Sequence, residues 1–183
     1  ILGTGDMGIG NTTPSAAIAC ALMNASPEKI AGRGTGVDDD GLQRKVSVIE
    51  KSLQVNMPNP KDGLDVLSKV GGFEIGGLAG VMIGAASKRV PVMVDGFIST
   101  AAALIAVTIA PQCKDYLIFA HRSKENGHAL MLEWLGVKPL LDLDLRLGEG
   151  TGAALGMSLA ESACKILAEM ATFGEAGVSQ IVE

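Results

Sequence analysis

Aromatic side chains are nearly missing from this chain. They make up 3% of the 183 residues, although 48% are apolar, so the core has to rest on Ala, Leu, Ile, Val and Met. An excess of basic residues is missing too. The formal net charge is −5, which argues against nucleic acid as the main partner, because neutralising a phosphate backbone takes a basic surface. A single anionic ligand needs only a local site and stays allowed. Prolines number 7 against 24 glycines, a balance that suits tight turns in a folded chain. There is no CxxC pair: Cys20, Cys113 and Cys164 are odd in number and far apart, and they read as three buried thiols in a reducing compartment.

No apolar run reaches membrane-spanning length. The longest, residues 97–110, falls short of the roughly 18 residues a spanning helix needs. No charged-then-apolar leader pattern stands at the start, so a cytoplasmic protein without membrane contact is expected. An initiator methionine is also missing, and Ile1-Leu2 runs straight into glycines. A strand leading into such a loop normally has structure before it. The expectation is that the whole protein carries an amino-terminal part ahead of Ile1.

What is present is an alternation of short apolar runs with helical patterns, the mark of an α/β fold on a parallel sheet. The expected architecture is a three-layer, Rossmann-like sheet with helices on both faces, in one unit over residues 1–183. Ile1-Leu2 reads as a strand end. Asn11, Thr12 or Thr13 can cap a helix that has Pro14 in its first turn and runs to about residue 24. Asp38 and Asp39 start a second helix, in which Leu42, Val46, Ile49 and Leu53 recur at helical spacing. Further helices are expected over 76–87, 97–110 and 150–170, and strands over 91–94 and 115–119. A polar loop follows over 121–128. In such folds ligands gather where the carboxyl ends of strands meet helix amino ends. Residues 5–13, 32–40, 95–96, 121–128 and 148–152 all fall at those junctions.

The first motif is ambiguous. Gly3-Thr4-Gly5-Asp6-Met7-Gly8 spells GxGxxG after a strand, which suggests a dinucleotide and an NAD-dependent oxidoreductase. That fingerprint needs its helix to start near the third glycine and a ribose-binding acid some 20 residues on. Here the helix signal comes only after Asn11-Thr12-Thr13, and Glu28 sits in a turn beside Pro27. The alternative runs over residues 5–13. Gly8 and Gly10 let the backbone turn so that several N–H groups face one anion, and the following helix adds its positive end. An ordinary glycine turn with a cap would look much the same.

Residues 32–39 repeat this character, and Lys45 lies within reach one to two turns into the next helix. A solvated surface lysine is the plainer reading of Lys45. His121, His128 and Glu125 invite a metal site, but their spacing fits no usual zinc arrangement and a third strong ligand is wanting. Glu149, set between Gly148 and Gly150 before a long helix, reads either as an acid favoured by a helix amino end or as a general base held in a cleft.

Five ordered motifs, GDMGIGNTT (5–13), GRGTGVDD with LQRK (32–39 and 42–45), VDGFISTAAAL (94–104), HRSKENGH (121–128) and LDLDLRLGEGTGAAL (141–155), resemble the nicotinate-nucleotide–dimethylbenzimidazole phosphoribosyltransferase family over nearly the whole chain. The resemblance implies that the ribose phosphate of nicotinate mononucleotide passes to 5,6-dimethylbenzimidazole, giving α-ribazole 5′-phosphate and nicotinate in the lower-ligand branch of cobalamin synthesis. It implies a homodimer and no cofactor. Motif by motif, it places the phosphate on Gly8, Ile9, Gly10, Asn11 and Thr12, and the rest of the nucleotide beside Gly34, Lys45, Gly96 and Ser123. It makes Glu149 the catalytic base, with Asp6 as an accessory acid where the family usually has Glu. Ala120 stands where Ser is common. A non-catalytic nucleotide- or base-binding relative would use the same residues.

Overall fold

The computed structural model describes residues 1–34 and 36–178. Three short strands, β1 (Leu2–Gly3), β2 (Val92–Val94) and β3 (Leu117–Phe119), form a parallel sheet in the order β1-β2-β3. Leu2 pairs with Val92, and Val92 pairs with Leu117. Successive side chains of β2 face opposite ways. Val92 and Val94 join the large core, whereas Met93 joins Ala120 and Ala153 on the other face. Helices therefore cover both faces, which gives the expected three layers.

The main helical layer contains α1 (Thr12–Met23), a single turn α2 (Pro27–Ile30), α3 (Asp39–Asn56), α4 (Gly63–Val70), α5 (Phe73–Ser87), α6 (Phe97–Ile109) and α7 (His128–Leu135). The last helix, α8 (Thr151–Glu169), packs on β1 and β2 from the opposite side. Its small residues permit this. A Cβ at Gly156 would lie 2.6 Å from Met93 Sδ, and one at Gly3 would lie 2.2 Å from Met157 Cε. The centre of the molecule is α6, buried from Phe97 to Ala106 and touched by α1, α4, α5 and α7. A helix apolar all round is one enclosed by others, and its run of alanines lets them approach.

Caps set the boundaries. Asp38 accepts from Gly41 N–H at 2.8 Å to start α3, and Asp62 accepts from Leu64 and Asp65 N–H to start α4. Helices α4 and α7 lie outside the sequence expectation, and at eight residues each they carry little more than two turns of period. α5 begins at Phe73, three residues before the expected start, because Gly76 N–H already bonds Gly72 C=O at 3.0 Å. Phe73 itself points fully into solvent, so its apolar character misleads. The first part of the expected 115–119 strand is instead the end of a 3₁₀ helix, Pro111–Tyr116.

The cysteine reading needs one correction. Cys20 and Cys113 are buried, but Cys164 is exposed on α8. Burial, reinforced by the charge of Glu28, pushes the Cys20 thiol up to about 12. Among the described residues no helix is long and apolar enough to cross a membrane.

Candidate functional site

The loop after β1 is pinned by Thr4, whose N–H and hydroxyl both donate to Met93 C=O, at 3.0 and 3.3 Å. Gly8 and Gly10 then adopt φ of +79° and +77°, a region that favours glycine. Asp6 holds the turn from inside: one carboxylate oxygen accepts from Gly8 N–H and from Asn11 Nδ2, each at 2.8 Å. Asn11 is the residue preceding α1, yet its side chain donates to Asp6 and, at 3.3 Å, to Glu74, and makes no capping bond to the helix. The first-turn amides of α1 are thereby left without a side-chain partner, which is the condition for anion binding at a helix amino end. The helix starts at Thr12, four residues past Gly8, unlike a dinucleotide fingerprint.

The second glycine segment lies against the first. A Cβ at Gly34, whose φ is +55°, would stand 2.9 Å from Thr12 Oγ1. Lys45 joins the two by donating to Thr12 Oγ1 at 2.8 Å and to Gly32 C=O at 2.9 Å. Lys45 is therefore half-buried rather than a surface lysine; burial lowers its pKa and the nearby Glu125 charge opposes part of that. Thr35 lies outside the described residues.

A third wall comes from the carboxyl ends of β2 and β3. Gly96 precedes α6, which also has no side-chain cap. Ser99 Oγ, on its first turn, is buried without a hydrogen-bond partner. His128 lies beneath. Its Nδ1 accepts from Ser123 N–H at 2.8 Å, and its Nε2 lies 2.9 Å from Thr100 Oγ1. A ring that accepts at Nδ1 carries its proton on Nε2 and is neutral. Burial, with a smaller contribution from His121 that Asp95 opposes, depresses it to about 3. His121 lies 3.5 Å from the buried Asp95. Of the two histidines weighed above as metal ligands, His128 is a hydrogen-bonding strut, while His121 faces Asp95 through Nε2 and its buried Nδ1 has no hydrogen-bond partner. Asp95 also accepts from Gly150 N–H at 3.0 Å and Ala153 N–H at 3.2 Å. Burial pushes the Asp95 carboxyl up, but His121 and these amides outweigh it and leave the group below its ordinary value.

The fourth wall is the turn before α8. Gly148, Glu149 and Gly150 have φ of +75°, +59° and +80°, and Glu149 N–H donates to Asp6 C=O at 2.8 Å. The two loops touch backbone to backbone, since a Cβ at Gly5 would lie 2.3 Å from Gly150 N. The Glu149 side chain is exposed at the rim of the site, rather than enclosed in a cleft, in this chain.

These walls enclose a cavity of about 640 Å³, a size that suits a nucleotide. Of the residues expected from sequence, Asp6, Gly8, Ile9, Thr12, Gly34, Gly96, Ser123 and Glu149 line it. Gly10, Asn11 and Lys45 are not on its wall, and Asn11 and Lys45 brace it through Asp6 and Thr12. Sequence reasoning passed over Arg146 and Ser99, placed Asp95 only among the residues at a strand–helix junction, and weighed Glu125 only as a metal ligand. Arg146 is the one cation among the described residues that line the cavity, which it shares with the carboxylates of Asp6, Asp95, Glu125, Asp144 and Glu149. Its isolation inside an Asp-Leu repeat was the available signal. A second hollow of about 510 Å³ adjoins the first, sharing Asp6, Met7 and Glu149 and continuing over Gly3, Ala153 and Met157. Asp6 and Glu149 thus border two hollows, an arrangement open to transfer between two bound molecules.

A family model described as a phosphoribosyltransferase matches residues 1–178. A protein of Roseiflexus sp. (strain RS-1) named nicotinate-nucleotide–dimethylbenzimidazole phosphoribosyltransferase is 65% identical over 183 residues, all of this chain and 52% of its own. A protein of the same name from Chloroflexus aggregans is 61% identical over 180 residues, 98% of this chain and 51% of its own. The crystal structure of CobT from Thermus thermophilus superposes with a TM-score of 0.92 at 48% identity, covering 98% of this chain and 54% of that one. The chain spans about half the length of the curated relatives it matches.

Proposed function

The chain belongs to the nicotinate-nucleotide–dimethylbenzimidazole phosphoribosyltransferase family, and from that premise we propose that its larger cavity grips nicotinate mononucleotide while Glu149 activates the attacking base. One observation carries the reading: two helix amino ends without side-chain caps, those of α1 and α6, open on the same cavity that Glu149 borders. The loop from Gly8 through Ile9, Gly10 and Asn11 to Thr12 offers its amides to the 5′-phosphate. Lys45, bound to Thr12 Oγ1, adds positive charge behind that loop. Gly34, Gly96 and Ser123 shape the remainder of the nucleotide pocket, with residues 1–183 working as one nucleotide-binding catalytic unit.

The chemistry asks little more of the protein. Nicotinate departs from a cationic pyridinium, so the electrons of the breaking C1′–N bond neutralise the ring and no proton is needed on the leaving group. The attacking nitrogen of 5,6-dimethylbenzimidazole becomes cationic as it bonds to C1′, unless its partner N–H gives up a proton. A carboxylate beside that N–H takes it, and Glu149 on the border of both hollows is placed for the task. Attack on the face opposite the β-linked nicotinate inverts C1′ and yields the α-linkage. Asp6, with one oxygen committed to Gly8 and Asn11, supports the loop and leaves its other oxygen for positioning. A cytoplasmic homodimer belongs to the same reading.

The test uses the full-length protein with nicotinate mononucleotide and 5,6-dimethylbenzimidazole, following nicotinate release and the anomeric proton of the product by NMR. Release of nicotinate with an α-linked product is expected. A protein that binds the nucleotide but never releases nicotinate is a binding relative, and the proposal fails. In Gly10→Val, nucleotide binding should weaken by at least about tenfold, since a left-handed β-branched residue disrupts the loop.

A further inference from the structure

We infer that Asp95 is a positioning residue for the transfer reaction, holding the Glu149 turn in place by capping α8 from the end of β2, with His121 orienting its carboxylate. The inference rests on Glu149 as the base.

Glu149 stands in the left-handed region between two glycines that do the same. A non-glycine residue there costs roughly 1 kcal/mol and persists only where its surroundings over-determine it. On one side the turn is held by the bond from Glu149 N–H to Asp6 C=O at 2.8 Å. On the other side Asp95 holds it: Oδ2 accepts from Gly150 N–H at 3.0 Å and Oδ1 from Ala153 N–H at 3.2 Å. Gly150 precedes α8 and has no side chain of its own to cap it, so this helix takes its cap from a residue 55 positions away.

The backbone permits this close approach. A Cβ at Gly152 would stand 2.0 Å from His121 Cδ2 and 2.7 Å from Asp95 Oδ1. Only glycine lets α8 start this near the pair. Asp95 and His121 are each 2% exposed, and His121 Nε2 lies 3.5 Å from Asp95 Oδ1. Three of the roughly four acceptor sites of the Asp95 carboxylate are taken up in this way, by two amides and the ring, so the group is committed chiefly to the backbone of the turn. Its influence on chemistry runs through Gly150 to the adjacent Glu149.

The decisive variant is Asp95→Asn in the full-length protein, because the amide replaces one acceptor with an NH₂ that must face a backbone N–H. We expect kcat to fall by about 10²-fold, the loss typical of a misplaced reacting group, with KM for nicotinate mononucleotide unchanged. Hydrogen exchange should show the amides of residues 148–153 losing protection. In a Glu149→Gln background the same change should cost little further, because the two act as a unit. An additive loss, a KM that rises as kcat falls, or undisturbed protection would each overturn the inference. Should Asp95→Asn fail to fold, His121→Asn provides the same test with a smaller loss, again expected to vanish in Glu149→Gln. Normal turnover in Glu149→Gln alone would sink the base assignment and this inference with it. A dead Glu149→Gln with additive Asp95→Asn sinks only the inference.

Discussion

The two glycine-rich turns that meet at the site, residues 5–11 before α1 and 148–150 before α8, have similar composition and opposite arrangements. Each carries one carboxylate among glycines, and each ends in a helix. In the first, Asp6 turns inward and commits an oxygen to Gly8 and Asn11, while the helix amino end that follows stays uncapped. In the second, the helix end is capped by a distant residue, Asp95, and the local carboxylate, Glu149, is left exposed. A turn that satisfies itself leaves its helix free to take an anion. A turn that is satisfied from elsewhere leaves its acid free to act.

The contrast can be broken most severely at the exposed carboxylate. Glu149→Gln in the full-length protein should lower kcat by about 10²- to 10⁴-fold, the usual worth of a general base, with nucleotide affinity retained in a titration. Comparable loss of affinity would mean that Glu149 belongs to the grip and the two turns share one role.

The wall both turns face has its own signature in pH. His128 is neutral when folded, with a pKa of about 3 against an ordinary 6.5. Its folded value is depressed, so its contribution to stability is complete above pH 6.5 and drains away as pH falls toward 3, at up to about 1 kcal/mol per pH unit. Denaturant melts at pH 7, 5 and 4 should show that loss in the wild type and a flatter profile in His128→Gln. Parallel profiles would contradict the neutral, hydrogen-bonded assignment.

A smaller effect is expected at the seam between the turns. Gly5→Ala forces a methyl group onto the Gly150 backbone and should cost about 1–3 kcal/mol by overpacking, lowering Tm without altering the substrate preference. Smallest is Asp6→Ala, which leaves Gly8 N–H unpartnered and Asn11 Nδ2 with Glu74 alone, for roughly 1 kcal/mol. Its main readout is a raised KM for nicotinate mononucleotide with kcat little changed. A kcat collapse as deep as that of Glu149→Gln would show that Asp6 is not merely holding its own loop.

Much of this organisation was legible in the sequence wherever partners are near in the chain. Asn11 before α1, Asp38 before α3 and the helical period of Leu42, Val46, Ile49 and Leu53 mark their elements locally. The glycines at 8, 10, 148 and 150 announce left-handed turns without any tertiary knowledge. What escaped depends on contacts across the fold. Asp95 is an ordinary acid after a strand until α8 folds back onto it. His128 looks like a metal ligand until Ser123 and Thr100 are seen to occupy both its ring nitrogens, and His121 until its Nε2 is seen to face Asp95. Lys45 cannot be told from a solvated lysine until Thr12 and Gly32 surround it. Cys164 continues the helical spacing of the buried Ala153 and Gly156 and the half-buried Ala160, and nothing local reveals that α8 is exposed at every residue from Glu161 to its end.

The seam at Gly5 and Gly150 carries a lesson for anyone surveying the molecule by mutagenesis. Alanine scanning maps a protein by subtraction, and here nothing can be subtracted: the contact is made of main chain on main chain. At such glycines alanine is itself the added group, so a scan meets this junction as an insertion, and its loss reads as crowding rather than as a missing contact.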